Sequence, residues 1–536
     1  MTLLRVLTIA AFFALVCPAC EPEEGASHDP RLVEAQQAFD QGKWLKRAAK
    51  YAEAVAHVER ALALREAVLT GTHPKVADCL HLLGELHQDL ANPARAESFH
   101  ARALEIREAT LSEHHPDIVL SLIELASLHT YLGRYARAEP LYERALKLRE
   151  EALGEHHPGV ATLLDQLAKL YQFRGLYARA EPLLVRALKI REAVPGDNHP
   201  EIASALNSLA NLYWQQGRYA RVEPLYTRAL KIQRAALGDN HPDVATSLIG
   251  LATLYQAQGF YARAEPLYAQ ALEIREAAFG DNHPEVANVL SNLASFYQLQ
   301  GLFARAEPLL QRALKIREAA FGDSHPFVAI VLNNLAILYQ SQGFFTRAEP
   351  LLTRALRIEE AALGDSHPEV ATSLHNLAAL YQLQGLYTRA ESLLMRVLKI
   401  REAAFGDSHP SVATALRSLA VLYQSQGFYS RAEPLLVRAL KIQEAALGES
   451  HFGVAETLHN LGRLYAEQGD HARALPLLVR ALEIEVAALG ASHPTVATSL
   501  HSLAGLYNSQ GLYTHAEPLL VRALKINEAA DRKSVV

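Results

Sequence analysis

The sequence predicts an all-α fold built as a solenoid of helix-turn-helix units, and three observations carry that reading. A histidine followed by proline returns every 42 residues, at His73, His115, His157, His199, His241, His283, His325, His367, His409 and His493, and His451 keeps the phase with Phe452 in place of proline. Between returns, apolar residues recur at intervals of three and four, the period of a helix that buries one side. Glycine closes most of these stretches. A fixed period in the range of about 20 to 50 residues marks a stack whose units bury their apolar faces only against neighbours. That overturns the expectation, from 536 residues, of about three or four separate domains.

The chain opens MTLLRVLTIAAFFALVCPAC, with Arg5, an apolar run from Val6 to Val16 and small residues around Cys20. Eleven apolar residues fall short of the ~20 that span a bilayer, so residues 1–20 are expected to be an export signal and not a membrane helix. The segment CPA-Cys20 resembles a bacterial lipobox, with Cys17 where leucine is usual, and the resemblance implies a lipid anchor on the Cys20 sulfur. Plain secretion after Ala19 is the alternative. Residues 21–31 are acidic and proline-bearing and read as a flexible linker.

Composition narrows the function classes. With 52 Lys+Arg against 58 Asp+Glu, the formal charge is −6, and no basic excess invites nucleic acid. Cys79 stands alone in the body of the chain, so no disulfide framework is available there.

Within one unit, Ile202, Ala203, Leu206, Leu209, Ala210 and Tyr213 form the stripe of a first helix, helix A. Pro200 suits its first position, Asp197 and His199 are placed to satisfy its free amides, and it ends near Gly217. Helix B follows as RYARVEPLYTRALKIQRAA, with Tyr219, Val222, Leu225, Tyr226, Ala229, Leu230 and Ile232 on its apolar side. Pro224 and its counterparts Pro140, Pro182, Pro266, Pro308, Pro350, Pro434, Pro476 and Pro518 lie just inside it, which predicts a kink there or a later start. The charges of the Arg-Ala-Leu and Glu-Ala segments are assigned to the outer face of helix B, solvated and paired at i,i+4.

The solenoid is expected over residues 32–530. Residues Leu32 to Arg47 are out of register, whereas Tyr51 to Ala67 fits helix B, so the first unit reads as a diverged cap. At the far end residues 531–536, DRKSVV, read like translated adapter sequence and are expected not to be native. The last helix B then has no capping helix beyond it.

The pattern L-A-x-x-Y (Leu209, Ala210, Tyr213) followed by A-x-x-x-[FYL]-x-x-A (Ala264, Tyr268, Ala271) resembles the tetratricopeptide repeat. The 42-residue form, with GD-x-HP-x-VA and AEPL-x-x-RAL-x-I, looks like the kinesin-light-chain class of that family. The resemblance implies a right-handed superhelix of about 11–12 repeats whose helices A line a concave groove for an extended peptide or partner helix.

The repeats also serve as their own comparison. Positions seven and ten after the histidine are leucine in all eleven units, from Leu80 and Leu83 to Leu500 and Leu503, which marks the shared core. Positions eight and twelve vary freely and position fifteen is mostly glutamine, and all three share one side of helix A. The resemblance maps this side onto the groove. The candidate peptide-binding residues are Asn207, Asn211, Trp214, Gln256, Ser291, Gln298, Asn333, Gln340, His375, Gln382, Arg417 and Gln424. Their amides suit the main chain of an extended peptide, and Trp214 is a candidate anchor.

Catalytic and metal readings fare worse. Equivalent histidines in successive units are separated by at least ~8–10 Å, while two ligands of one zinc share it over bonds of ~2 Å, so the His-Pro ladder is assigned to helix capping. Cys79, one place before a core leucine, reads as a small buried thiol. No nucleophile-base spacing or glycine-rich phosphate loop is present, so no catalysis, cofactor or small-molecule substrate is expected. Two readings remain. The first is a non-catalytic scaffold for a protein or peptide, reaching a membrane only through a lipid anchor. The second is the recognition arm of a longer protein whose effector, for example a caspase-like protease domain, follows residue 530.

Overall fold

A helix leaves its first amides without partners, and here one side chain is supplied for them at a fixed place in each unit. A computed structural model describes residues 29–48, 50–194 and 199–534. In it the Nδ1 atoms of all eleven phase-keeping histidines, from His73 to His493, accept the backbone N–H two residues on, at 2.9 to 3.3 Å. Asp197, the second residue expected to help cap, lies outside the described residues. The chain reaches most of these caps through a glycine that ends the preceding helix B, whereas Leu69, Leu111 and Ala193 take that place ahead of His73, His115 and His199. Gly280 stands at φ 84° and ψ 158°, a conformation essentially closed to residues with a Cβ, so glycine is required there.

Helix A runs sixteen residues, as in Pro200–Gln215, and ends in a Schellman turn. Gly217 adopts φ 68°, its N–H reaches the Trp214 carbonyl at 3.0 Å, and the Arg218 N–H reaches the Tyr213 carbonyl at 2.8 Å. Helix B begins at the next residue, Tyr219, and runs to Leu237, straight through Pro224. The expected later start of helix B is therefore wrong. Pro224 is the sixth helical residue, so the donor it lacks would have served only the Ala220 carbonyl, near an end where backbone groups are already free.

Among the described residues there are 24 helices and no strands, from Pro30–Arg47 to Tyr513–Ser534, pairing as twelve hairpins. The first helix uses the same device as the later helices A, with Asp29 accepting the Arg31 N–H at 2.8 Å ahead of Pro30. The core is a continuous seam. Leu290, Ala287, Ala294, Ala264 and Ala271 are fully buried, and the alanines let helix axes approach closely while each leucine contributes ~2 kcal/mol of burial. Successive helices A contact one another directly, which places them on the inside of the curve.

Charges tie unit to unit instead of pairing along one helix as expected. Arg312 meets Glu276 at 2.6 Å, and Arg354–Glu318, Arg396–Glu360, Arg438–Glu402 and Arg480–Glu444 repeat the contact at 2.7 or 2.8 Å across successive helices B. Pairs four apart, such as Lys147–Glu151 at 3.8 Å, are the minority. A second ladder runs alongside. Tyr423 donates its hydroxyl to Glu391 of the preceding unit at 2.6 Å, while the Arg431 guanidinium lies 3.9 Å from the ring centroid. Tyr213, Tyr255, Tyr297, Tyr339, Tyr381 and Tyr465 bond the equivalent glutamates at 2.7 to 3.0 Å.

Cys79 is fully buried, with the Arg65 guanidinium 3.3 Å from its sulfur, and burial pushes its thiol up to about 11. That is the inert core thiol its position predicted.

Candidate functional site

Helix A positions twelve and fifteen project from the inner face, and in the middle of the stack they meet around a hollow. A cavity of about 670 Å³ is lined by Trp214, Asn211, Asn207, Gln172 and Phe173, with Thr246 and Thr253 from the next helix A. Trp214 is 38% exposed and Phe173 45%, so two aromatic faces stand open beside a set of amides and hydroxyls. Tyr226 forms the floor. Its hydroxyl donates to the Asn211 Oδ1 at 2.6 Å, and burial raises it well above the usual tyrosine range. The sequence makes room for that ring by placing Gly250 against it, where an added Cβ would lie 2.4 Å from a ring carbon. Lys169 and Asp165 complete the wall, Asp165 being engaged by Arg191 at 2.6 Å.

Asn207, Asn211 and Trp214, selected from sequence, are thus brought together. They differ in availability. Asn207 is only 8% exposed and donates to the Ser247 hydroxyl at 2.9 Å, which in turn donates to the Gln233 Oε1 at 2.6 Å. A group so engaged fixes one unit to the next and is not free to meet a ligand.

The same correction applies to other residues at position eight. Ser291 is buried and returns its hydroxyl to the Ala287 carbonyl at 2.9 Å. Asn333 is buried and donates to Ser373 at 2.7 Å. Position eight varies between units because its buried partners vary, which a helical wheel drawn for one helix does not show.

A second, smaller hollow of about 140 Å³ collects three further candidates, His375, Gln382 and Arg417, with Val421 and Leu394. Burial, with Arg401 and Arg417 nearby, lowers His375 to about 4, so the ring is neutral at ordinary pH. Arg417 is paired with Glu456 of the following helix A. The glutamines do not form one ladder. Gln256 accepts from the Tyr268 hydroxyl at 2.9 Å, Gln298 donates to Ser341 at 3.1 Å, Gln340 is half-buried, and Gln424 is buried and donates to Glu467 at 2.9 Å. Cys20 lies outside the described residues. Among the described residues no group of three or more His, Cys, Asp or Glu side chains is placed to hold a metal ion.

Sequence reasoning missed Phe173, at position sixteen. That position also carries Leu299, 63% exposed, and Leu383, 58% exposed. Comparing the units at the sixteenth place, as was done at the eighth, would have found them.

A family model described as tetratricopeptide repeat matches residues 36–109, 117–193, 166–235, 201–277, 243–319, 285–358, 327–403, 369–445, 411–485 and 453–529. No curated protein matches the chain. Among solved structures, BtubC (BKLC) from P. vanneervenii is 26% identical, with 43% of this chain and 91% of that one covered and a TM-score of 0.36. The nearly identical TPR-like repeats of a Podosopora anserina protein named for the kinesin light chain are 30% identical, covering 38% of this chain and 97% of that one at a TM-score of 0.33.

Proposed function

The chain belongs to the tetratricopeptide repeat family, and on that premise we propose that it is a non-catalytic scaffold whose inner, helix-A face holds a protein or an extended peptide. Proteins of this family generally act as interaction scaffolds. The observation that supports the finer reading is the cavity of about 670 Å³, in which exposed Trp214 and Phe173 stand beside the amides of Asn211 and Gln172. Aromatic faces give an entering segment apolar contact, and amides satisfy its main chain, which is the usual division between anchor and orientation in a binding site.

The test uses Trp214→Ala and Asn211→Ala, since Asn207→Ala would also break the interior bond to Ser247. Partners recovered by cross-linking from a photoreactive residue at Gln172 should be lost in both variants, with helicity unchanged. An identical partner profile in all three proteins would remove this patch from consideration. Tryptophan gives a direct second readout. The chain has two, Trp44 and Trp214, so Trp44→Phe leaves one fluorophore in the cavity, and its emission should shift on binding of a recovered partner.

We propose further that the exported chain is held at a membrane through Cys20, on the resemblance of its CPA-Cys20 segment to a lipobox. Membrane association should disappear in Cys20→Ser, and a wild-type protein recovered entirely in the soluble fraction would end that reading.

A further inference from the structure

Three of the capping histidines make a second hydrogen bond that has nothing to do with their own unit, and two more face the equivalent place. The Nδ1 of His367 accepts the Glu369 N–H at 3.1 Å, which places the ring proton on Nε2. That Nε2 lies 2.7 Å from the carbonyl oxygen of Tyr131, 236 residues earlier. His409 reaches the Phe173 carbonyl in the same way at 3.0 Å, and His451 reaches that of Gln215 at 3.1 Å. The rings of His325 and His493 lie against the backbone of Asp89 and Ala257, the equivalent places in the seam.

Asp89, Tyr131, Phe173, Gln215 and Ala257 are each the last residue of a helix A, six units before the histidine that reaches it. Carbonyls at that place have no partner inside their own helix. One imidazole therefore satisfies a free amide at the start of one helix and a free carbonyl at the end of another. The two helix dipoles also meet head to tail.

The rest of this seam is built to the same spacing. Pro368 packs so closely on Gly133 that a Cβ there would lie 2.8 Å from its Cδ, and Pro410 stands likewise at 2.8 Å over Gly175. Tyr135 stacks on Phe405 with centroids 5.5 Å apart. By contrast, the rings of His115, His157, His199, His241 and His283 cap their helices and make no such bond to an earlier turn among the described residues.

We propose that His325, His367, His409, His451 and His493 are clasps that hold the superhelix as a closed coil, one turn of six units lying directly on the next. While they hold, the inner face is reached through the ends of the coil. When they part, the wall opens along one continuous seam. The closure is a property of the chain alone and does not depend on what the inner face binds.

Asparagine caps helices well but is too short to cross the seam, so His→Asn separates the two bonds. The experiment replaces the five clasp histidines with asparagine in one protein and His115, His157, His199, His241 and His283 in a second. Small-angle scattering should show a longer maximum dimension and a larger radius of gyration for the first and a curve superimposable on wild type for the second, with circular dichroism equal in all three. Superimposable curves for the clasp variant, or equal lengthening of both variants, would overturn the proposal. Should the clasp variant fail to fold, nitroxide labels at Arg137→Cys and Asp365→Cys, which line one hollow across the seam, test closure in the chain with its histidines intact. A single short distance is expected, and a long or broad distribution overturns the proposal.

Discussion

Asn333 donates its amide to Ser373 at 2.7 Å, and the bond crosses from one unit to the next inside the stack. Glu359, only 2% exposed, lies beside both. The same interior position holds Gln233 bonded to Ser247 and Gln443 bonded to Thr457, each at 2.6 Å. An amide or carboxyl on helix B is therefore matched with a hydroxyl on the following helix A. Where helix B carries Arg107 the hydroxyl partner is Ser121, at 2.7 Å, and where it carries Arg317 the guanidinium turns to the Phe327 carbonyl, at 2.8 Å.

Burial raises Glu359 to about 8. An acid whose folded value lies above its unfolded one is favoured in the neutral form, so its contribution is fully present below about 4.5 and is lost as pH climbs to about 8. Glu359→Gln supplies the group already used at Gln233 and removes that loss. Denaturant unfolding should show the variant gaining on wild type by roughly 1.4 kcal/mol for each pH unit across that window, with little difference at pH about 4. Equal stabilities at pH about 9 would mean that the carboxyl is not held neutral.

Two glycines separate conformation from space. Gly280 needs φ 84° and ψ 158°, with open space where a Cβ would go, so Gly280→Ala should cost ~1–3 kcal/mol through the backbone alone. Gly505 is helical, and nothing lies within 4 Å of its would-be Cβ, so Gly505→Ala should stabilise by ~0.5–1 kcal/mol. Opposite shifts in the unfolding midpoint are the expected result. Shifts of the same sign would show that something besides backbone preference governs one of the sites.

The architecture was legible because it is periodic. A His-Pro at constant spacing, leucines at positions seven and ten and a glycine at most joints each report a local requirement that one unit is enough to reveal. The inner face was legible only in part. Trp214 and Asn211 declared themselves as departures from the repeat, but Asn207 and Asn333 vary for a different reason, namely that their partners Ser247 and Ser373 sit in the next unit, and Ser291 turns back on the Ala287 carbonyl of its own helix. The clasp between His367 and Tyr131 was not legible. Its spacing follows from the small rotation between neighbouring units summed over six of them, and no single unit carries that sum.

The tyrosine ladder predicts a modest, acid-sensitive contribution. The hydroxyl bond from Tyr423 is the largest influence lowering Glu391 below the usual carboxylate range, ahead of Arg431. A depressed acid stabilises above its unfolded value and loses that contribution as pH falls through the folded one. Tyr423→Phe should cost ~1 kcal/mol at neutral pH, since Arg431 still faces the carboxylate at 2.8 Å, and the penalty should shrink in acid as Glu391 protonates. A penalty that does not change between neutral and acidic pH would point to lost ring packing and not to the hydroxyl bond.

Acid should also act on the clasps. Burial lowers His325 and His409 to about 4, and the nearby guanidinium groups of Arg317 and Arg401 push in the same direction. Around them lie Phe321 and Phe327 for the first ring, and Phe405 with the Ser411 hydroxyl for the second, and the carbonyls of Asp89 and Phe173, which favour the charged ring, offset burial only in part. For a base with a depressed folded value the unfolded chain takes up its proton first, near 6.5, while the folded ring resists until about 4. Stability is therefore flat above about 6.5, falls by roughly 1.4 kcal/mol per pH unit and ring down to about 4, and is flat again below. Protonation also puts hydrogen on Nδ1, where the ring accepts its capping amide, so the cap is lost while the Nε2–H of the seam bond is kept. Urea midpoints measured from pH about 7.5 to about 4 should fall more steeply for wild type than for the His325→Asn, His409→Asn double variant. Parallel curves would show that these rings do not titrate on unfolding, and the acid sensitivity would then belong to the carboxylates.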